Sequence, residues 1–255
     1  MATEYKSIAM LKVLVFRVRY DLASEYMNGW LERVVSYARE RSYEVIDLSG
    51  PDATLENFLA ALEEKPDLVI IGTHGDTTRV VGDLESSLLN SCENDGVLAG
   101  SAVVYGTCLS GQVLAKTTRE KGAPVVVGYV NSYTWPIDPR AQSPVEDKIA
   151  QPFGELYVEP ILAMLDGLDP KQVYERTMAK YNEVYAQLIR RDPGLDAAFA
   201  TTALENNRAG LIIYGEEGVL TAPPPPMWPV YVLLGGMAAT FLYLWRKPEN
   251  YGRKS

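Results

Sequence analysis

His74, the single histidine of the chain, closes a hydrophobic run in LVIIGTHGD, and Cys108 closes a second in AVVYGTCLSG. A thiol and an imidazole are the two groups needed to open an amide bond through a covalent thioester. The thiolate attacks the carbonyl carbon, and the imidazole protonates the leaving amine and then activates water. Gly75 directly follows the histidine and allows close backbone approach, so its N–H and that of Cys108 are the candidate oxyanion donors. Asp76 and Asp83 are near enough to orient the imidazole, but both read rather as turn residues. Cys92 lies in the polar stretch NSCEND and reads as a surface or helix-terminal residue. Two cysteines and one histidine exclude four-cysteine and His-rich metal centres, and the thioester chemistry calls for no metal and no organic cofactor.

These residues need a scaffold that brings them together. Both runs are continuous rather than alternating and rich in β-branched residues, which is the pattern of parallel strands buried on both faces. Open α/β sheets place their chemistry at the carboxyl ends of such strands. KVLVFRV (12–18) and YEVIDL (43–48) read as two further strands, with a helix over 24–41 between them. Asp52 or Thr54 can cap a helix that ends before Lys65-Pro66. APVVVGYV (123–130) is a fifth strand, reached by a crossover helix over 111–121 whose positive end would lower the Cys108 thiol pKa. Helices over 151–165, 170–190 and 195–206 lead to a sixth strand in AGLIIYG (209–215). The expectation is a mostly parallel six-stranded α/β sheet covered on both faces.

A hydrophobic block ending in His-Gly, followed by one ending in Cys, resembles the caspase-like cysteine peptidases. The group includes caspases, gingipains, clostripain, separase and CHAT domains. The strand, loop and late Tyr214-Gly215 that follow Cys108 make CHAT or gingipain-type domains the closest flavour, over about residues 11–215. The resemblance implies a three-layer caspase-like sandwich and endopeptidase activity. It implies that His74 is the general acid/base, Cys108 the nucleophile, and Gly75 with Cys108 the oxyanion donors. Two residues before Cys108 stands Gly106, where caspases carry glutamine and metacaspases aspartate, so neither specificity transfers. Candidate pocket residues are then Tyr133, Trp135 and Asp138 after strand five, or Arg19 and Asp21 after strand one. An acid there would favour cleavage after Arg or Lys, and Arg19 would favour an acidic residue.

The net charge of −9 is not evenly spread. From Met227 onward four basic residues face Glu249, which leaves twelve net negative charges on the preceding 226 residues. An acidic body disfavours nucleic acid and mildly favours basic or neutral substrates, and solubility alone accounts for such a charge equally well. A protein or peptide substrate is what the resemblance implies. The amino terminus has a short apolar stretch interrupted by Lys12, Arg17 and Arg19, unlike a signal peptide. The chain divides into a body over 1–220, a proline-rich linker over 221–227, a charge-free aromatic-flanked segment over 228–245 and a basic tail over 246–255. Eighteen residues without a formal charge, bounded by Trp228 and Tyr231 and by Tyr243 and Trp245, read as a single transmembrane helix. A buried core or dimerisation helix is the alternative. The basic tail argues for a cytoplasmic carboxyl terminus, whereas free cysteines without an export signal favour a cytoplasmic body. No glycine-rich phosphate loop follows strand one, so a nucleotide-binding reading is poor. The competing reading is a catalytically silent caspase-like fold that serves as a membrane-tethered scaffold or sensor. Nothing in the sequence sets the oligomeric state.

Overall fold

The computed structural model describes residues 11–82, 86–191, 195–216 and 218–221. Among the described residues nine strands and six α-helices make up an α/β chain. The helices are α1 (Leu22–Glu40), α2 (Leu55–Glu63), α3 (Leu114–Glu120), α4 (Gln151–Leu165), α5 (Pro170–Arg191) and α6 (Leu195–Gly210). Strands β1 (Lys12–Arg17), β2 (Glu44–Ser49), β3 (Leu68–Gly72), β6 (Ala102–Tyr105) and β7 (Val126–Tyr129) run parallel. β8 (Leu211–Gly215) pairs antiparallel with β7, and β9 (Gly218–Thr221) antiparallel with β8. The sheet therefore has seven strands, in the order β2-β1-β3-β6-β7-β8-β9, and not six. The extra strand is short and mostly exposed, so it lacks the apolar signature of its neighbours. β4 (Arg79–Val81) and β5 (Ser87–Asn90) form a separate antiparallel hairpin after His74.

Alternate residues of each central strand enter opposite cores, as the two-residue period of a strand requires. Val13, Val15, Ile70, Val104 and Val127 pack with α1, α4, α5 and α6. Leu14, Phe16, Val69, Ile71, Val103 and Tyr105 pack with α2, α3 and the β4–β5 hairpin. Both faces are thus covered, giving three layers, and the sheet is the mixed, mostly parallel kind that a caspase-like fold requires.

Two helix starts matter for the site. Asp21 caps α1, its carboxylate accepting from the Ser24 N–H while the Ser24 side chain answers the cap backbone. α3 begins at Leu114, later than the expected 111, because residues 108–113 are held in turns. At the other cap in question, Thr54 starts α2. Among the described residues no helix is long and apolar enough to cross a membrane. The proline-rich linker and the 228–245 segment lie outside the described residues.

Candidate active site

β3 and β6 are neighbours, and the register that pairs Ile71 with Tyr105 sets His74 level with Cys108 three residues further along each chain. The Gly106 N–H donates to the Ile71 carbonyl at 2.8 Å, so the alignment holds to the strand ends. Beyond them the two loops touch. A Cβ placed on Gly75 would stand 3.0 Å from the Thr107 Cβ and 2.9 Å from the Arg79 carbonyl. Glycine at 75 is what lets the histidine loop lie against the cysteine loop.

The His74 ring is partly exposed, and its Nε2 lies 2.8 Å from Asp21 Oδ2. The other carboxylate oxygen of Asp21 accepts from the Ser24 N–H at 2.7 Å. Partial burial works against ionisation of Asp21, but the hydrogen bonds from Ser24 and His74 outweigh it and hold its pKa below the usual carboxylate value. The Tyr20 ring leans on the imidazole with centroids 5.9 Å apart. Asp21, expected among the pocket residues, is thus placed against the histidine.

Cys108 is half-buried, and its sulfur receives the Tyr133 N–H and the Ser132 hydroxyl. The turn that carries it is pinned to the exit of β7. The Leu109 N–H donates to Asn131 O at 3.3 Å, Gly111 N–H to Tyr129 O at 2.9 Å and Gln112 Nε2 to Val130 O at 2.7 Å. Leu109 takes φ +60°, a left-handed conformation that side chains adopt only under such restraint. Burial pushes the Cys108 thiol up, and the hydrogen bonds from Tyr133 and Ser132 offset this in part. The expected lowering by a helix dipole is therefore overturned. α3 starts six residues after the cysteine, and a dipole acts only within about its first turn.

The two expected oxyanion donors, the Gly75 and Cys108 N–H groups, are backbone groups without a backbone acceptor among the described residues. Gly75 pairs with Val80 in an isolated bridge made by its neighbours: Val81 N–H donates to His74 O and Asp76 N–H to Arg79 O. Such a non-hydrogen-bonded pair leaves the Gly75 N–H outside the ladder.

The remaining expected residues lie elsewhere. Tyr133 is buried, its hydroxyl donating to Phe153 O at 2.6 Å and its ring meeting those of Tyr129 and Tyr157. Trp135 packs edge-on against Trp30, centroids 4.9 Å apart. Both rings belong to the aromatic interior, and Tyr133 meets the cysteine through its backbone. Asp138 is held by both nitrogens of the Arg140 fork, at 3.0 Å each. Arg19 faces Glu25 at 3.6 Å. Asp76 folds back on its own turn, accepting from the Thr78 and Arg79 N–H groups, and so reads as the turn residue. Asp83 lies outside the described residues. Cys92 is exposed, in a turn with φ +64°. No group of three or more potential metal ligands occurs among the described residues.

Two functional contacts escaped the sequence reading. The strand-end capping box Asp21-Leu-Ala-Ser24 was a visible signal for the first, because it fixes a carboxylate beside the end of β1. Nothing local signals Ser132 as a partner of Cys108. A third contact explains Gly106. A Cβ there would stand 2.0 Å from the Tyr157 hydroxyl, which donates to Gly106 O at 2.7 Å. The space beside position 106 is filled by the Tyr157 phenol from α4.

No protein-family profile matches the chain, and no curated protein sequence does. Among solved structures it is similar to the Arg-specific cysteine proteinase gingipain R (RgpB), with a TM-score of 0.53 and 12% identity over 82% of this chain. A complex of the pro- and mature domains of Porphyromonas gingivalis RgpB matches less well, with a TM-score of 0.47 and 11% identity over 73% of this chain and 44% of that one. The chain spans 47% of the length of the gingipain R chain. At this identity the likeness concerns the fold alone.

Proposed function

We propose that this chain is a caspase-like cysteine endopeptidase, closest in type to CHAT and gingipain domains, acting through Cys108 and His74. The observation that carries the reading is the Asp21–His74 pair, set on the loop that packs against the Cys108 turn. His74 takes the thiol proton as the sulfur attacks the substrate carbonyl. The resulting oxyanion is met by the N–H groups of Gly75 and Cys108. The imidazolium then protonates the leaving amine, and a thioester remains on Cys108. Water, deprotonated by His74, attacks that thioester and regenerates the thiol. The acidic body favours a protein or peptide substrate over nucleic acid. Both candidate specificity carboxylates, Asp21 and Asp138, are engaged within the chain, so a preference for Arg or Lys draws no support from them. The 228–245 segment anchors the chain as a single-pass membrane protein with a cytoplasmic body.

The raised thiol pKa favours a second reading, a resting form that binds polypeptide without turning it over. Detergent-solubilised full chain, reacted with a peptidyl acyloxymethyl ketone, decides between them. Wild type labels at one site, Cys108→Ala does not label, and His74→Ala labels at least about 100-fold more slowly. Equal labelling of all three sinks the peptidase.

A further inference from the structure

β9 runs antiparallel to β8, which itself runs antiparallel to β7. The last described strand therefore points the same way as β1, β3, β6 and β7. The ladder sets Thr221 opposite Ile212, and Ile212 opposite Gly128, the last but one residue of β7. The chain thus leaves the body at the carboxyl end of the sheet, the end that carries His74 and Cys108. A further six residues, four of them consecutive prolines, precede the charge-free segment that opens at Trp228.

Two lengths limit how far the site can stand from a bilayer that holds that segment. Three inter-strand steps separate β9 from β6, about 14 Å at about 4.8 Å each. Six residues in the extended form that prolines favour span about 19 Å. Cys108 is then within about 35 Å of the surface. The surface agrees with this placement. Of the exposed large apolar side chains among the described residues, Leu22, Leu55, Val113, Val145 and Ile149 lie where the carboxyl ends of parallel strands connect to the following helices, whereas Leu59, Val97, Phe199 and Val219 lie elsewhere.

From this we infer that the catalytic end faces the bilayer and that the substrates are juxtamembrane segments of membrane-anchored proteins. The inference rests on the peptidase reading for its chemistry, on the proposed anchoring through 228–245 for its tether and on strand direction for its geometry. Tethering gives segments near the surface a high effective concentration and leaves distant ones unserved.

The test uses the full chain in phosphatidylcholine vesicles. For geometry, a donor dye is attached to Arg79→Cys, beside the His74 loop, or to Glu64→Cys, at the opposite end of the strands, in a Cys92→Ser, Cys108→Ser background. Energy transfer to headgroup-labelled lipid is stronger from position 79 than from 64. Equal transfer, stronger transfer from 64, or failure to float with the vesicles overturns the inference. For the substrate class, a sequence chosen from a peptide-library profile of the same enzyme is anchored either at the surface or above a rigid helix. A helix of about 40 residues raises it by about 60 Å. The near site is cut at least about tenfold faster, and a long Gly/Ser insertion after Pro226 restores the far site. Equal cutting of both sites by the unaltered chain overturns the substrate class. If the library shows no cleavage at all, the peptidase reading and the substrate class both fall, while the dye comparison still decides the orientation.

Discussion

Asp21 Oδ2 faces His74 Nε2 at 2.8 Å, joining the first turn of α1 to the loop after β3 across the ends of two adjacent strands. The same carboxylate caps α1 through its other oxygen, so helix start and imidazole position are set by one side chain. A carboxylate only accepts, so the neutral imidazole must carry its proton on Nε2. On the proposed mechanism Nδ1 is then the acceptor for the thiol proton. The pair thus fixes a tautomer as well as a ring position.

Asp21→Asn separates these roles, because asparagine caps a helix about as well as aspartate. Stability should change by no more than about 0.5 kcal/mol, whereas kcat/KM should fall by about 100-fold or more as the tautomer is no longer enforced. The sign of the pH dependence follows from the lowered pKa of Asp21. Its contribution to stability is fully present above the unfolded value, near pH 4, and is lost as pH falls through the lower folded value. Acid unfolding followed by circular dichroism should show that loss in wild type and a shallower one in Asp21→Asn. An unchanged kcat/KM would remove Asp21 from the mechanism.

The Cys108 thiol sits above its ordinary pKa because burial disfavours the thiolate, which Ser132 and the Tyr133 N–H partly stabilise. In a Cys92→Ser background, the rate of iodoacetamide alkylation should rise with pH and inflect above the value for a free cysteine peptide. Ser132→Ala removes a donor to the thiolate and should move the inflection further up, slowing alkylation at neutral pH by about 3- to 10-fold. An inflection below that of the peptide contradicts this account.

Gly106→Ala drives a methyl group into the Tyr157 phenol and toward the Ile71 carbonyl, 3.2 Å away. Overpacking of this kind destabilises by about 1–3 kcal/mol. Tyr157→Phe alone loses the bond to Gly106 O and should cost about 1 kcal/mol. The double variant should be less destabilised than the sum, since the nearest clashing atom is gone, although the ring carbon at 2.6 Å remains. Urea titration of the four proteins measures the coupling, and simple additivity would show that the phenol does not set the identity of residue 106.

The central strands were legible because burial on both faces leaves continuous apolar runs, as in Leu68–Gly72 and Ala102–Tyr105. His74 and Cys108 could be placed from those runs alone. β4 and β9 are three and four residues long with exposed positions, too short for a period to register. Asp21 and His74 meet across 53 residues because β1 lies beside β3, and strand order is not written in local composition. Tyr133 and Trp135 show the converse limit. An aromatic loop beside a site reads alike whether it lines a pocket or, as here, stacks on Trp30 and Tyr157.

The contact between the two loops makes Gly75 the most direct test of their mutual placement. Gly75→Ala puts a Cβ within 2.9 Å of the Arg79 carbonyl and 3.0 Å of the Thr107 Cβ, and backbone and branched side chain yield poorly. The loops should part by a few tenths of an ångström, displacing the Gly75 N–H from the oxyanion. Loss of one oxyanion donor lowers kcat by about 10²- to 10³-fold. Val80, Leu88 and Leu89 hold the β4–β5 hairpin in the core, so the loop at residue 75 rather than the hairpin should yield, and global stability should fall by about 1–3 kcal/mol. Ketone labelling of Cys108 should slow in parallel with kcat, while iodoacetamide alkylation, which forms no oxyanion, should change little. Equal slowing of both reactions would assign Gly75 to the reactivity of the thiol rather than to the oxyanion.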